Sequence, residues 1–153
     1  METDAPAHAV RFCIVTPVFN GGDYIDQTLA SILSQAGAFR LRVHVQDGGS
    51  TDGTVARLRA WQQRLAGKSF LRLCRAIEFT YAVAPDSGMY DAINKGFAVV
   101  QPNDADVMTY LNADDLLLPG ALSFVMERMT QFPEVAWVAG RPCEIDAATV
   151  MRN

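Results

Sequence analysis

The stretch Val10–Asp23, VRFCIVTPVFNGGD, decides the fold because it joins a strand, a loop and the start of a helix. Its first part, Val10–Thr16, is rich in β-branched and aromatic side chains and runs into Pro17. Proline cannot continue the hydrogen-bond ladder of a central strand, so the sequence predicts a strand that ends there.

The loop Pro17–Asp23 contains Asn20 and two glycines, which permit tight backbone geometry, and Asp23 is a candidate N-cap for the next helix. In that helix apolar residues fall at i, i+4, i+7 and i+8, which predicts one face packed on a sheet. These residues are Ile25, Leu29, Ile32 and Leu33. We expect the helix to end near Gly37.

Strand and helix patterns alternate through the rest of the chain. The further predicted strands are Leu41–Gln46, Leu71–Cys74, Ile77–Val83, Asp106–Leu111 (its apolar run Val107–Leu111 buried) and Val135–Ala139. Three further helices are predicted from their inner apolar faces. The first follows a candidate cap at Asp52 and has the inner face Val55, Leu58, Trp61 or Gln62, and Leu65. The second has Tyr90, Ile93, Phe97 and Val100, and the third, Pro119–Gln131, has Leu122, Val125, Met126 and Met129. This order predicts one α/β domain, Rossmann-like and doubly wound, with a mainly parallel sheet and helices on both faces.

Composition limits the class of protein. A chain of 153 residues has room for one domain with a single core. Its net charge of −4 argues weakly against a nucleic-acid or anionic-membrane partner. A solvated face is the expectation for the basic residues that are spread over the second helix and the following loop, Arg57, Arg59, Arg64, Lys68, Arg72 and Arg75.

Cysteine and histidine usage predicts neither a disulfide frame nor a zinc site. The three cysteines are an odd number, and none is spaced from another as in a known paired motif. We therefore interpret Cys13, Cys74 and Cys143 as reduced interior thiols of an intracellular protein. His8 and His44 are far apart and lack a ligand partner at metal spacing, so we interpret them as packing or surface residues.

Targeting signals are absent from the printed sequence. No apolar run reaches the roughly 18 residues of a membrane helix, and Met1–His8 has no apolar signal core. We therefore expect a cytoplasmic protein with a disordered tail at residues 1–9, peripheral attachment at the inner face of the membrane being the alternative.

Polar residues follow four of the predicted strands, in loops that begin with Thr16–Asn20, Asp47, Asp86 and Asn112–Asp115. In doubly wound sheets ligands bind outside the carboxyl ends of the strands, so these loops predict a binding site. Asp47 could accept an N–H of a planar base, and the main chain at Pro17 and Val18 could pack against that base. Asp114 and Asp115 could hold Mg²⁺ or Mn²⁺, which take oxygen ligands and share their shell with phosphates.

Simpler interpretations stay open. Asp114 and Asp115 could open a turn or cap the helix before Pro119. Gly48, Gly49 and Gly53 alone would be explained as positive-φ turn positions. Asn94 and Lys95 could equally belong to a solvated helix surface.

Two common phosphate motifs, GxxxxGKS and GxGxxG after the first strand, are absent, so triphosphate hydrolysis and dinucleotide redox chemistry lose their usual support. TDGTV at 51–55 resembles the nucleophile loop of haloacid-dehalogenase phosphohydrolases. That loop needs an aspartate where this chain has Ser50, and it should follow the first strand.

An ordered set of four motifs carries a resemblance to a known family: TPVFN at 16–20, DGGSTDGT at 47–54, PDSGMYDAINKG at 85–96 and LNADD at 111–115. In this order and spacing they resemble the nucleotide-binding half of a family 2 glycosyltransferase with the GT-A fold, over about residues 10–145. The resemblance implies that residues 10–153 form a nucleotide-sugar-binding domain without the acceptor-binding C-terminal part.

The resemblance also implies roles for individual residues. Thr16, Pro17 and Phe19, with Asn20 beside them, would line the base and ribose, and Asp47 would hydrogen-bond the base. Asp86 and the segment DAINKG at 91–96, which contains Asn94 and Lys95, would border the diphosphate and the donor sugar. Asn112, Asp114 and Asp115 would form the DxD-type motif, with Asp114 and Asp115 as ligands of Mg²⁺ or Mn²⁺.

The chain departs from the family pattern at two places. Asn112 stands where many relatives carry the first aspartate of the metal motif. The carboxylate base of these inverting enzymes normally lies several tens of residues further on, and neither Glu144 nor Asp146 is well placed for it. We therefore name no catalytic base.

The leading hypothesis is an inverting glycosyltransferase that uses a nucleotide-diphosphate sugar, a UDP-sugar first, and a glycan or lipid-linked acceptor of polysaccharide biosynthesis. The alternative is a non-catalytic nucleotide-sugar-binding module or an inactive fragment. Exposed apolar surface is expected where an acceptor half would pack, with self-association into a homo-oligomer as one way to cover it.

Overall fold

A computed structural model of the protein describes residues 10–67, 69–145 and 151–152. The predicted tail 1–9, Lys68 and Asp146 lie outside the described residues. The elements are β1 Arg11–Val18, α1 Ile25–Leu33, β2 Gly37–Asp47, α2 Thr54–Ala66, β3 Cys74–Val83, α3 Met89–Val100, β4 Asp106–Tyr110, α4 Ala121–Gln131, β5 Glu144–Ile145 and β6 Met151–Arg152.

Strands β1 to β4 form one parallel sheet in the order β3-β2-β1-β4. Strands β5 and β6 form a separate antiparallel pair. The first core cluster joins Phe12 and Ile14 of β1 to residues of α1 and α2 and to Leu122 of α4. The second joins Cys13 and Val15 to α3 on the opposite face. The predicted α/β fold with helices on both faces is therefore confirmed.

Strand β1 is the centre of the sheet, and its predicted end at Pro17 is wrong. The strand continues to Val18, with Pro17 paired to Gln46 and Val18 to Asp47 of β2. Val15 O accepts the N–H of Leu111 on the β4 side, and residues two apart in a strand point the same way. Pro17 therefore directs its missing N–H to the side where β4 has already ended, so the ladder loses nothing.

Helix α1 buries all four residues of its predicted face, which lie against the sheet: Ile25, Leu29, Ile32 and Leu33. Its predicted N-cap is wrong, because the capping position is Tyr24 and no side chain caps the helix. The carbonyl of Gly21 accepts the N–H groups of Tyr24 and Ile25 instead. The helix ends at Leu33, and Gly37 already begins β2.

Helix α2 buries Leu58, Trp61 and Leu65, so Trp61, not Gln62, lies on the inner face. The capping position is Gly53, one residue after the predicted Asp52. Asp52 still accepts the backbone N–H of Thr54 at 3.1 Å, so its carboxylate satisfies one group of the first turn.

Helix α3 packs on the sheet partly through small residues, which the spacing of large apolar side chains does not reveal. Ala92, Ile93, Gly96 and Val100 are buried, whereas the predicted Tyr90 is 73% exposed. A Cβ at Gly96 would lie 2.4 Å from Val15 Cγ1, so only glycine permits this close approach of α3 to β1. The approach turns the helix so that Tyr90 faces outward.

Two strand predictions are wrong, and a third is confirmed as a strand but not as a buried one. Leu71–Cys74 is not a strand, and β3 begins at Cys74. Val135–Ala139 has no regular structure, and Trp137 within it is 81% exposed. Strand β4 ends at Tyr110 and is an edge strand with half-exposed side chains, not the predicted buried strand.

Two further expectations need correction. Helix α4 begins at Ala121, two residues after Pro119. Of the cysteines predicted to be interior thiols, Cys13 is buried and Cys74 is partly buried, but Cys143 is exposed. His44 is buried, as a packing residue is expected to be, with its Nδ1 2.8 Å from Thr80 Oγ1.

Candidate functional site

A cavity of about 560 Å³ lies at the carboxyl ends of β1 and β4. Strand order reverses here, since β2 and β3 lie on one side of β1 and β4 on the other, and ligands of doubly wound sheets bind at this reversal. The cavity is lined by Pro17, Val18, Phe19, Asn20, Gly21, Tyr24, Asp86, Gly88, Met89, Ala92, Asn112, Ala113 and Asp114.

Hydrogen bonds join the loop after β1 to the loop after β2. Asn20 N donates to Ser50 Oγ at 2.7 Å, and Thr51 N donates to Asn20 Oδ1 at 2.9 Å. Gly22 N donates to Asp52 Oδ2 at 2.8 Å. Asn20 lines the cavity but uses its side-chain oxygen to hold the second loop, so it shapes the rim as well as facing the cavity.

Asp47 is fully buried at the end of β2. Its Oδ1 accepts the N–H groups of Gly49 and Ser50 at 2.8 and 2.7 Å, which forms the turn. Its Oδ2 is buried and has no hydrogen-bond partner within the described chain. A buried polar atom without a partner costs roughly 1–3 kcal/mol, so a ligand N–H that reaches this oxygen would gain a strong hydrogen bond.

Three buried side-chain oxygens lack a partner in the part of the chain that the structure describes, and all three belong to predicted site residues. They are Thr16 Oγ1, Asp47 Oδ2 and Asn112 Oδ1, at or just after the ends of β1, β2 and β4. Asn112 lines the cavity, whereas Thr16 and Asp47 lie in strands that end beside it without lining it. Unused acceptors at one edge of a sheet are typical of a ligand site.

Asp86 connects the loop after β3 to the same cavity. Its Oδ1 accepts the N–H of Gly88 at 2.9 Å. A Cβ at Gly48 would lie 2.7 Å from Asp86 Oδ2 and 3.4 Å from a ring carbon of Phe19. Gly48 therefore lets these two cavity-lining residues approach the chain that follows Asp47.

Asp114 and Asp115 are both exposed, and Asp114 lines the cavity. Asn112 Nδ2 donates to Asp115 Oδ2 at 3.2 Å, which links the first and last residues of the motif. No group of three or more His, Cys, Asp or Glu that could enclose a metal occurs among the described residues. Two carboxylates fit a Mg²⁺ or Mn²⁺ that keeps water and substrate phosphate in its shell, so the predicted metal site stays a prediction.

Asn94 and Lys95 do not line the cavity. Lys95 Nζ donates to Asp91 Oδ2 at 2.7 Å and to Pro85 O at 2.9 Å, and Ser87 N also donates to Asp91 Oδ2. These bonds fix the segment that carries Asp86 onto α3. The hydrogen bond from Lys95 lowers the pKa of Asp91.

Two cavity-lining residues, Tyr24 and Met89, were not predicted from the sequence, whereas Ala92 lies in the predicted segment 91–96. Tyr24 and Met89 lie at or next to the start of a helix that follows a strand, the part of a βα unit that faces the carboxyl edge of the sheet. Their position at the start of a helix is the sequence signal that could have identified them.

We expect the Asp52 carboxyl group to titrate near pH 2, because hydrogen bonds from Thr54 and Gly22 lower its pKa from 3.8 to about 2. The stabilisation is complete above the unfolded value of 3.8 and is lost as the pH falls through about 2. Carbon-13 NMR of the Asp52 carboxyl carbon measures this pKa, and Asp52→Asn should abolish that part of the pH dependence of unfolding. A midpoint near 3.8 would contradict the hydrogen-bonded geometry.

The architecture and the cavity define a doubly wound α/β domain with a ligand site at its switch point. Residues 13–152 match the family described as "Glycosyl transferase family 2", and the chain belongs to that family.

Curated relatives include the protein named "Putative glycosyltransferase TagX" of Staphylococcus aureus. The strain COL protein is 30% identical over 113 residues, which cover 74% of this chain and 29% of the relative. The strain MRSA252 protein is 31% identical over 116 residues, with the same shares. The chain thus spans less than a third of the length of these relatives.

Solved structures share the fold at low sequence identity. The crystal structure of S. aureus TarS 1–349 matches with a TM-score of 0.60 and 17% identity, over 80% of this chain and 33% of TarS 1–349. The complex of TarS 1–349 with UDP-GlcNAc matches with a TM-score of 0.61 and 18% identity, over 80% and 32%. The predicted GT-A fold is therefore confirmed. Among the described residues, the longest helices are too short or too polar to cross a membrane.

Proposed function

We propose that this chain is the donor-binding part of a glycosyltransferase that uses a UDP-sugar. The observation that carries the proposal is the second carboxylate oxygen of Asp47, which is buried beside the switch-point cavity and has no partner among the described residues. The N3–H of uracil is a donor of the kind this oxygen lacks. TarS 1–349, which shares the fold, is described in complex with UDP and with UDP-GlcNAc.

The base would enter between the loops after β1 and β2. Phe19 is exposed at the cavity and could cover one face of the base, while Pro17 and Val18 form an apolar wall of the cavity. Because Asp47 Oδ2 is covered by neighbouring residues, the base would have to displace side chains to reach it. The hydrogen bonds among Asn20, Ser50 and Thr51 keep the two loops together during that change.

The diphosphate and sugar would extend from the base toward Asp86 and Asp114, the two carboxylates that line the cavity. A diphosphate beside two carboxylates is repelled unless positive charge is added. Asp114 and Asp115 would hold Mg²⁺ or Mn²⁺, which supplies charge neutralisation to the departing diphosphate when it is bound.

The transfer itself would occur with inversion at the anomeric carbon. An acceptor hydroxyl loses its proton to a carboxylate base and attacks this carbon, while the bond to the diphosphate breaks and UDP leaves. No residue of the described chain is assigned as that base. The acceptor, a glycan or a lipid-linked sugar of polysaccharide synthesis, is likewise part of the proposal.

Turnover of UDP-sugars separates a transferase from a binding module. We expect slow release of UDP from a bound UDP-sugar with Mn²⁺, even with water as acceptor. With methanol as acceptor, NMR should show a methyl glycoside of the opposite anomeric configuration, which cannot mutarotate. Binding of the donor without any release in a single-turnover experiment would instead assign the chain as a non-catalytic module.

A further inference from the structure

The basic charge of the chain is concentrated in one segment. Residues 53–77 contain six basic and no acidic residues, whereas the rest of the chain contains seven basic and seventeen acidic ones. The composition as a whole therefore hides a positively charged region in an acidic protein. Such regions bind anionic partners.

Residues of this segment line one side of a groove of about 510 Å³, which lies between α1, α2 and the loop 69–73. The guanidinium of Arg64 stacks on both aromatic rings of the groove, with Cζ 5.0 Å from the Trp61 ring centre and 5.6 Å from that of Phe70. Arg64 side-chain nitrogens donate no hydrogen bond to a described residue. Because the two rings cover the faces of the guanidinium, its N–H groups at the edge stay available to an anion. Ser34 and Ser69 line the same groove.

Two leucines project from the loop beside this groove. Leu71 is 76% exposed and Leu73 is 45% exposed. The loop is held by the hydrogen bonds from Gly37 N to Leu73 O and from Arg72 Nη2 to Leu65 O, so the exposed leucines belong to an anchored segment. Arg72 between them and Arg75 after them are exposed as well.

Basic side chains around exposed leucines match the surface of an anionic bilayer, where arginines meet phosphates and apolar tips enter the acyl boundary. A soluble acidic partner would use the charges but would not require protruding leucines. Arg57 adds little to this surface because it forms an ion pair with Asp26.

We propose that Arg64, Phe70, Leu71, Arg72 and Leu73 form a docking surface for a membrane containing anionic phospholipids, with Arg64 binding a headgroup phosphate. Gly37 begins β2, and its bond to Leu73 places this surface at the amino-terminal edge of the sheet. The switch-point cavity is at the carboxyl edge, so the docked chain presents the cavity away from the bilayer. Membrane docking and nucleotide binding are therefore separable.

The test is co-sedimentation of the 153-residue chain with vesicles of phosphatidylcholine alone or mixed with phosphatidylglycerol. We expect binding to the mixed vesicles only, weakened by salt. Arg64→Gln should lower the partition coefficient about fivefold, and Leu71→Ser about tenfold. Arg128→Gln is the matched control, because Arg128 also stacks on an aromatic ring, Phe124, and should leave binding unchanged.

Equal binding to both vesicle types, or unchanged binding of both Arg64→Gln and Leu71→Ser, would overturn the proposal. Inorganic phosphate at the lipid phosphate concentration, or polyglutamate, should not displace the chain from vesicles. Displacement by either would assign the surface to small anions or to an acidic protein instead. Nucleotide binding should be the same in the wild type and both variants, which separates this proposal from the donor-site proposal.

Discussion

Asp47→Asn is expected to weaken UDP binding about 100-fold, the loss that follows when a charge-assisted hydrogen bond to a base becomes a contact between two donors. The side chains are nearly the same size, and the asparagine Oδ1 can still accept the N–H groups of Gly49 and Ser50 that form the turn. Only the unpartnered Oδ2 is replaced, by an NH₂ group. Calorimetric titration of UDP measures the effect.

Comparing uracil with cytosine nucleotides tests the hydrogen bond to the base more specifically. Cytosine presents an acceptor at N3 where uracil presents a donor, so the wild type should prefer UDP to CDP. The Asp47→Asn chain should lose that preference or reverse it. Asp23→Asn removes the same charge from an exposed residue that does not line the cavity, and it should leave both affinities unchanged. Equal UDP affinity in Asp47→Asn and the wild type would show that Asp47 does not contact the base.

Asp114→Asn is expected to abolish most of the gain in UDP affinity that Mn²⁺ provides, about 10- to 100-fold, and Asp115→Asn to reduce it similarly. Both substitutions remove a carboxylate from the exposed pair at the cavity, and the UDP affinity measured in EDTA should stay unchanged or rise because repulsion is lower. The measurement is UDP titration with Mn²⁺ and with EDTA.

Uridine supplies the ligand control, because it lacks the diphosphate and its affinity should not depend on Mn²⁺ in any variant. Asp104→Asn supplies the protein control, since this exposed residue precedes β4 at the other end of the strand. A Mn²⁺ effect that is the same in the wild type and both variants would exclude Asp114 and Asp115 as the metal ligands.

The sequence could predict the fold because local signals agreed with the packing. Alternation of apolar segments with loops rich in Asn, Asp and Gly places strands, and the positions of Ile25, Leu29 and Leu58 place two helix faces. These residues are buried because they lie at the centre of their helix faces, where small differences in packing do not expose them. The four polar loops could be predicted to meet because parallel strands end at one edge of the sheet.

The wrong predictions share a cause, because each of these structural features depends on contacts with residues that are distant in the sequence. Pro17 remains in β1 because β4 ends before it. Tyr90 faces outward because Gly96 lets α3 approach Val15. The segment Val135–Ala139 has the composition of a strand, but no neighbouring strand pairs with it in the described part of the chain.

The candidate site was predictable at the level of loops and only partly at the level of atoms. Asp47 and Asn112, both predicted as site residues, have side-chain oxygens without a partner among the described residues. That Lys95 would pair with Asp91, or that Asn20 would hold the loop after β2, depends on distances between loops that no periodicity encodes.

Calorimetric titration of UDP, GDP and dTDP into the chain, with Mn²⁺ and again with EDTA, tests the donor-site proposal most directly. We expect UDP to bind and Mn²⁺ to strengthen its binding. GDP should bind more weakly, because its larger base would have to displace more of the side chains that cover Asp47 Oδ2. If none of the three nucleotides binds under either condition, the cavity is not a nucleotide site and the donor-site proposal is wrong.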